Sequence, residues 1–318
     1  MIELKQVSKK YGDTIAVNKV SFKVEEGENL VLLGTSGCGK TTTLKMINRL
    51  IEPDGGQILI NEADVLQQNP ENLRRGIGYV MQNIGLFPHY TIEENISVVP
   101  KLLKWEKKKT ADRIYDLLKK LHLPENILQL FPSQLSGGQQ QRIGLARALV
   151  ANPAILLMDE PFGALDNVTR SKIQEEFKEL EELKRKTIVM VTHDVLEAFE
   201  LADRICLMDR GEIKQIGTPK DLLFKPANDF ARKFLDGQRL ALEFKVIKIS
   251  DLWPNLPNAA NNDAKALNPA MTIWSVMEML SSKGTTELSF VNKNDERKVV
   301  NFNELSKAFN EYKKHLQP

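Results

Sequence analysis

Residues 34–41 read GTSGCGKT, a spacing suited to holding phosphate. Gly34, Gly37 and Gly39 allow backbone N–H groups to converge on phosphate oxygens, with Thr35, Ser36 and Cys38 completing the loop. Lys40 is expected to reach the β- and γ-phosphates, the Thr41 hydroxyl to coordinate Mg²⁺, and Thr42 to meet the α-phosphate. The following helix would add its positive N-terminal end. Farther along, LLMDE at 156–160 is an apolar run ending in two carboxylates, Asp159 and Glu160. Such a strand delivers charge to the carboxyl edge of a sheet, where α/β folds bind ligands. The run LSGGQ at 135–139 sets Ser136, Gly137 and Gly138, followed by Gln139, at a helix start. Such a helix start offers a second site for an anion.

These groups need elements to position them. Apolar residues alternate in short runs through 1–24, as antiparallel strands with one buried face should. Residues 29–33 predict a buried strand ending at Gly34 and 41–50 a helix, the strand, loop, helix order a phosphate loop requires. A turn at 53–56 precedes strands over 57–60 and 77–81, and 91–130 changes to charged, helix-forming sequence with leucines at helical spacing. Helix over 140–151, strand over 154–158, helix over 167–184, strand over 187–191 and helix over 195–201 continue the alternation. The fold class is therefore α/β, a mainly parallel sheet covered by helices. Composition shifts near Asp236, and 253–268 is rich in Asn, Ala and Pro, predicting domains over 1–236 and 237–318.

The chain has 318 residues, enough for one large domain and a small second one. Lys and Arg number 44 against 42 Asp and Glu, a balance that offers no field strong enough to suggest a nucleic-acid or anionic-membrane partner. Trp105 among Lys101, Lys104, Lys107, Lys108 and Lys109 reads as a solvated helix rather than a base-stacking surface. Cys38 and Cys206 are too few for a disulfide framework and point to a reducing compartment. The start MIELKQVSKKYG lacks the apolar core of a signal peptide, and no stretch approaches the roughly 20 apolar residues that span a bilayer. Action at a membrane would need another chain as anchor.

The phosphate loop taken with LSGGQ resembles the ATP-binding cassette ATPases over roughly residues 1–234. That resemblance implies a β subdomain, a helical signature subdomain and ATP with Mg²⁺ as ligands. It implies that Asp159 holds Mg²⁺ and that Glu160 is the general base for the attacking water. By the same resemblance His193 contacts the γ-phosphate, Gln82 senses Mg²⁺ and water, Tyr11 stacks on adenine, and Asp166 couples two sites. The family usually has serine where this chain has Gly163. A head-to-tail homodimer is implied, because the signature of one chain must meet the γ-phosphate held by the other.

Finer resemblance, carried by TTTLKMINRLIEPDGG, LSGGQQQRIGLARAL and ILLMDEPFGALDNVTR, is to ATPases of the quaternary amine uptake group. These energise import of glycine betaine, choline, carnitine or proline betaine. Relatives with nearly the same ATPase carry other solutes such as glutathione or an amino acid, and soluble cassette ATPases form a further class. The importer resemblance implies integral membrane permease subunits, an extracytoplasmic substrate-binding protein, and a place on the cytoplasmic face of the inner membrane. His89, in LFPHYT, lies where the family meets its permease. The tail resembles a single cystathionine-β-synthase-type (CBS) motif: apolar segment, helix, strand, turn at 293–295, strand, helix. Asn301 and Glu304 stand where that motif usually has the Thr and Asp that grip a ribose.

Overall fold

A computed structural model of the chain describes residues 1–163, 165–259, 266–282 and 286–316. Ala164 and the 260–265 part of the Asn/Ala/Pro-rich stretch lie outside the described residues. Chain contacts divide the molecule into Met1–Thr218 and Pro219–Pro318.

In the first unit, β1 (Ile2–Tyr11) and β2 (Thr14–Val24) form a hairpin, and β3 (Asn29–Gly34) leads through the glycine loop into α1 (Lys40–Ile47). There follow β4 (Gly55–Ile60), β5 (Ala63–Asp64), α2 (Pro70–Arg75) and β6 (Ile77–Val80). The helical segment holds α3 (Ile92–Ile96), α4 (Val98–Leu102), α5 (Lys107–Lys120) and α6 (Gly137–Leu149). The chain then alternates β7 (Ile155–Asp159), α7 (Asn167–Glu179), β8 (Thr187–Thr192) and α8 (Val195–Leu201), and closes with β9 (Arg204–Asp209) and β10 (Glu212–Gly217).

Two sheets result. One is antiparallel, in the order β2-β1-β4-β5, and its alternating apolar residues Ile2, Leu4, Val7, Val17, Val20 and Val24 are buried. The other has the order β10-β9-β3-β8-β7-β6 and is parallel except for its β9–β10 edge. Every residue of β7 and β8 is buried, as strands covered on both faces must be. Because β3, β7 and β8 are neighbours and run the same way, the glycine loop, Asp159–Glu160 and His193 all emerge at one sheet edge.

Some local expectations shift. The helix expected over 140–151 starts at Gly137, because Ser136 caps it: Ser136 Oγ accepts from Gln139 N, and Gln139 Oε1 accepts from Ser136 N. The helix expected over 167–184 ends at Glu179, where Leu180 turns extended and buries its side chain together with Leu183. The pair β9–β10 had no counterpart in the sequence reading.

The second unit contains α9 (Pro219–Phe224), α10 (Asp229–Asp236), α11 (Arg239–Val246), α12 (Ile249–Leu252) and α13 (Ile273–Ser282). A hairpin of β11 (Leu288–Val291) and β12 (Arg297–Val300) precedes α14 (Phe302–Leu316). Its own core includes Ile247, Ile249, Leu252, Val276, Phe290 and Phe309. Since α9 packs against both α10 and α11, this unit begins ahead of the composition change near 236.

Candidate functional site

The glycine loop is shaped by contacts that exclude a side chain. Gly39 precedes α1 with φ +102°, and a Cβ there would lie 2.3 Å from the Ala16 carbonyl oxygen. At Gly34 a Cβ would lie 2.1 Å from the Met208 carbonyl oxygen. Lys40 is only 5% exposed, and its ammonium folds over the loop to donate to the Gly34 and Thr35 carbonyls at 2.8 Å each. Thr35, Ser36 and Gly37 are exposed, and Thr42 is half-buried in the first turn of α1. Burial raises the Cys38 thiol, although Lys40 opposes the shift, and the small side chain fills the inside of the loop.

Thr41 Oγ1 donates to Asp159 Oδ1 at 2.7 Å, joining the start of α1 to the end of β7. Burial pushes the Asp159 carboxyl upward, and the Thr41 hydrogen bond resists it. A desolvated carboxylate beside a hydroxyl is an all-oxygen donor pair of the kind a hard divalent cation takes.

Glu160 follows with φ +45°, a left-handed conformation that a non-glycine residue holds only where its surroundings enforce it. Here they do: Glu160 N donates to Val191 O at 3.0 Å, and Gly163 N donates to Glu160 O at 3.1 Å. The side chain is gripped on both oxygens. Gln82 Nε2 donates to Oε2 at 3.0 Å, and His193 Nδ1 lies 3.1 Å from Oε1. Three residues from three strand ends thus meet on one carboxylate. Gln82 reaches this cluster through Glu160 itself.

Three other expected groups make their contacts outside this cluster. The hydrogen bonds of Ser136 and Gln139 stay within the start of α6, where a Cβ on Gly138 would lie 2.9 Å from Thr169 Cγ2. Gly137 is exposed. Asp166 caps α7, accepting from Val168 N and Thr169 N, and these bonds hold its carboxyl below the usual carboxylate range. Tyr11, at the β1–β2 turn, is 49% exposed, with Lys9 Nζ 5.8 Å from its ring centroid.

Several supporting residues escaped the sequence reading. Arg147 of α6 donates to the Ile84 and Gly85 carbonyls at 2.7 Å each and so fixes the loop after Gln82. Asn95 is fully buried and closes the 87–91 loop through hydrogen bonds to Phe87, Tyr90 and Thr91. Neither carries a local spacing signal, since both act across a loop whose path only the fold defines.

A family model described as ABC transporter matches residues 17–163. The chain is similar, at 55% identity over 241 residues, to the glycine betaine/carnitine/choline transport ATP-binding protein OpuCA of Bacillus subtilis. That match covers 76% of this chain and 63% of the relative, so the chain spans a little under two thirds of that relative's length. It is 44% identical over 292 residues to the glycine betaine uptake system ATP-binding protein YehX of Escherichia coli, covering 92% of this chain and 94% of that one. Among solved structures it resembles the dimeric structure of MJ0796, described as a bacterial ABC transporter cassette, with TM-score 0.62 and 37% identity over 69% of this chain and 98% of that one. A post-hydrolysis dimer of the same cassette with ADP and Pi matches with TM-score 0.62 and 36% identity, over the same 69% and 98%.

Proposed function

We propose, because the chain belongs to the ABC transporter family, that it is the ATP-hydrolysing subunit of an importer for a quaternary amine osmoprotectant. Glycine betaine, choline and carnitine are the favoured solutes, following the roles of its relatives. The observation that carries the ATPase reading is the convergence of Gln82 and His193 on Glu160, beside the Thr41–Asp159 pair.

In this reading the loop 34–41 and Lys40 bind the phosphates of ATP, and the exposed ring of Tyr11 receives the base. Thr41 and Asp159, with Gln82 alongside, would hold Mg²⁺, which when bound supplies positive charge to the phosphoryl oxygens. Glu160 accepts the proton of the attacking water. His193 and Gln82 keep the Glu160 carboxylate from rotating, so that its basic oxygen faces one direction throughout the reaction. Ser136, Gly137 and Gly138 of one copy complete the site of a second, with Asp166 between, so the working form is a homodimer.

The permease is proposed to dock on an apolar depression lined by Leu50, Tyr79, Met81, Phe87, Val98 and Arg147, near His89. Met81, Phe87 and the neighbouring Tyr90 are large and exposed, and no helix among the described residues is long and apolar enough to cross a membrane. An extracytoplasmic binding protein and a place on the cytoplasmic face of the inner membrane complete the proposed system. For 237–318 we propose a regulatory or dimerising role of CBS type, supported by its order of helix, hairpin and helix. Asn301 Oδ1 accepts from Glu304 N as a cap, and Glu304 pairs with Lys307, so adenosine-type ligands are not favoured there.

The test is uptake of labelled glycine betaine at high osmolarity in cells that depend on this chain or on its Glu160→Gln form, with choline, carnitine and glutathione as competitors. Uptake abolished by the substitution supports the reading, and the strongest competitor defines the solute. Uptake equal in both overturns it.

A further inference from the structure

Among the described residues of Met1–Thr218 two carboxylates are buried, Asp159 and Glu197, and the chemistry above uses only the first. Glu197 stands in the first turn of α8, next after the turn that carries His193, and is 5% exposed. Its Oε2 accepts a long hydrogen bond from Gln174 Nε2 of α7, at 3.4 Å. Among the described residues its Oε1 has no hydrogen-bond partner, and neither has the buried Nε of Arg170 on α7.

The groups that face Glu197 come from every element around it. Asp194 caps α8 and accepts from Glu197 N at 3.1 Å, Glu160 ends β7, Thr192 ends β8 and Arg170 belongs to α7. The strand β3, NLVLLG, also packs on α8 and brings no charge. Burial first, and Asp194 second, push the Glu197 carboxyl up to about 8, against the pull of Arg170 and Thr192. Arg170 is meanwhile shared: Nη2 donates to Leu165 O at 3.0 Å, beside Asp166, and Nη1 lies 3.6 Å from Asp194 Oδ2, beside His193.

We propose that Glu197 is a positioning residue whose charge decides where Arg170 sits. Neutral, it leaves Arg170 bridging Leu165 and Asp194. Ionised, it gives its proton to solvent and draws Arg170 onto its own free oxygen, releasing the Asp166 loop and the His193 turn together. A buried carboxylate oxygen and a buried guanidinium Nε on adjoining elements, each without a hydrogen-bond partner among the described residues, are the arrangement such a latch requires. The consequence is a cassette whose two catalytic loops loosen as pH rises. This deepens the ATPase reading and rests on it for one of its two readouts.

The experiment compares the full chain with its Glu197→Gln and Arg170→Gln forms, with Glu160→Gln as control, from about pH 7 to about pH 9. The ratio of wild-type to Glu197→Gln turnover should fall several-fold across that range, and in Arg170→Gln, which lacks the cation that moves, this fall with pH should be absent. A merely structural glutamate would change turnover by one factor at every pH, and a flat ratio overturns the proposal. Amide hydrogen exchange in the segments holding Asp166 and His193 supplies a readout independent of turnover. It should quicken with pH beyond the intrinsic rate in wild type and not in Glu197→Gln, and equal behaviour overturns the proposal. Absence of any hydrolysis by wild type would count against the ATPase reading alone, with exchange still deciding the latch. Should Glu197→Gln fail to fold, Arg170→Gln decides it: a flat pH profile supports the latch and a wild-type fall overturns it.

Discussion

His193 Nδ1 lies 3.1 Å from Glu160 Oε1, so the imidazole just after β8 braces the carboxylate just after β7. The brace crosses between neighbouring parallel strands whose register sets Asp159 opposite Val191. Its strength therefore depends on sheet alignment as well as on the two side chains, and it ties the geometry around Glu160 to the stability of the sheet edge.

Replacing Glu160 by Gln keeps the shape and removes the proposed base. Turnover should drop by roughly 10²–10⁴-fold, the usual worth of a positioned general base, with ATP affinity nearly unchanged. Phosphate release and a nucleotide titration measure the two quantities, and retained turnover would exclude Glu160 from the chemistry.

Gln82→Ala and His193→Ala each remove one side of the grip on Glu160. Each should lower kcat by about 10²-fold through misplacement of the base. The double variant should lose less than the product of the two, since both act through the same carboxylate. Strictly multiplicative losses in steady-state kinetics would separate their roles.

Glu182 tests a support away from the site. Its carboxylate meets Arg113 at 3.0 Å and Lys120 at 2.7 Å, and Arg113 also donates to the Leu149 carbonyl at the end of α6. The Arg113 hydrogen bond leads in holding Glu182 down at about 2. A carboxyl depressed in the folded state stabilises above its unfolded pKa of about 4.3, and that contribution is lost as pH falls toward the folded value. Glu182→Gln should therefore cost roughly 1–2 kcal/mol at neutral pH, between exposed and buried ion pairs, and less at low pH. Denaturant melts of both proteins at neutral pH and near pH 3 measure the difference, and an equal gap at both would contradict the assignment.

Gly163 and Gly39 should respond oppositely to alanine. A Cβ on Gly163 would meet Glu160 O at 3.4 Å and Oε2 at 3.5 Å, ordinary contacts, so activity should be retained. At Gly39 a positive φ and the close Ala16 carbonyl oppose a side chain, and Gly39→Ala should lose nucleotide binding and about 1–3 kcal/mol of stability. Binding isotherms and thermal melts of the two variants decide this.

The sequence by itself determined the α/β class, the phosphate loop, the acidic strand end and the helix starting at the signature. These depend on local order: glycine spacing, β-branched runs and a capping Ser136 act within a few residues of one another. It also put Gln82, Glu160 and His193 on one roster of candidates, but through resemblance to a family and without saying that they touch.

That contact was decided by the tertiary structure. Parallel pairing of β3, β7 and β8 gathers strand ends far apart in the chain at a single edge, and no periodicity within a segment reports which strands become neighbours. The same limit hid Arg147, Asn95 and the Glu197–Arg170 pair. Their meaning comes from burial and from partners across loops, and the cost of burying a charge exists only once the surrounding elements have closed over it.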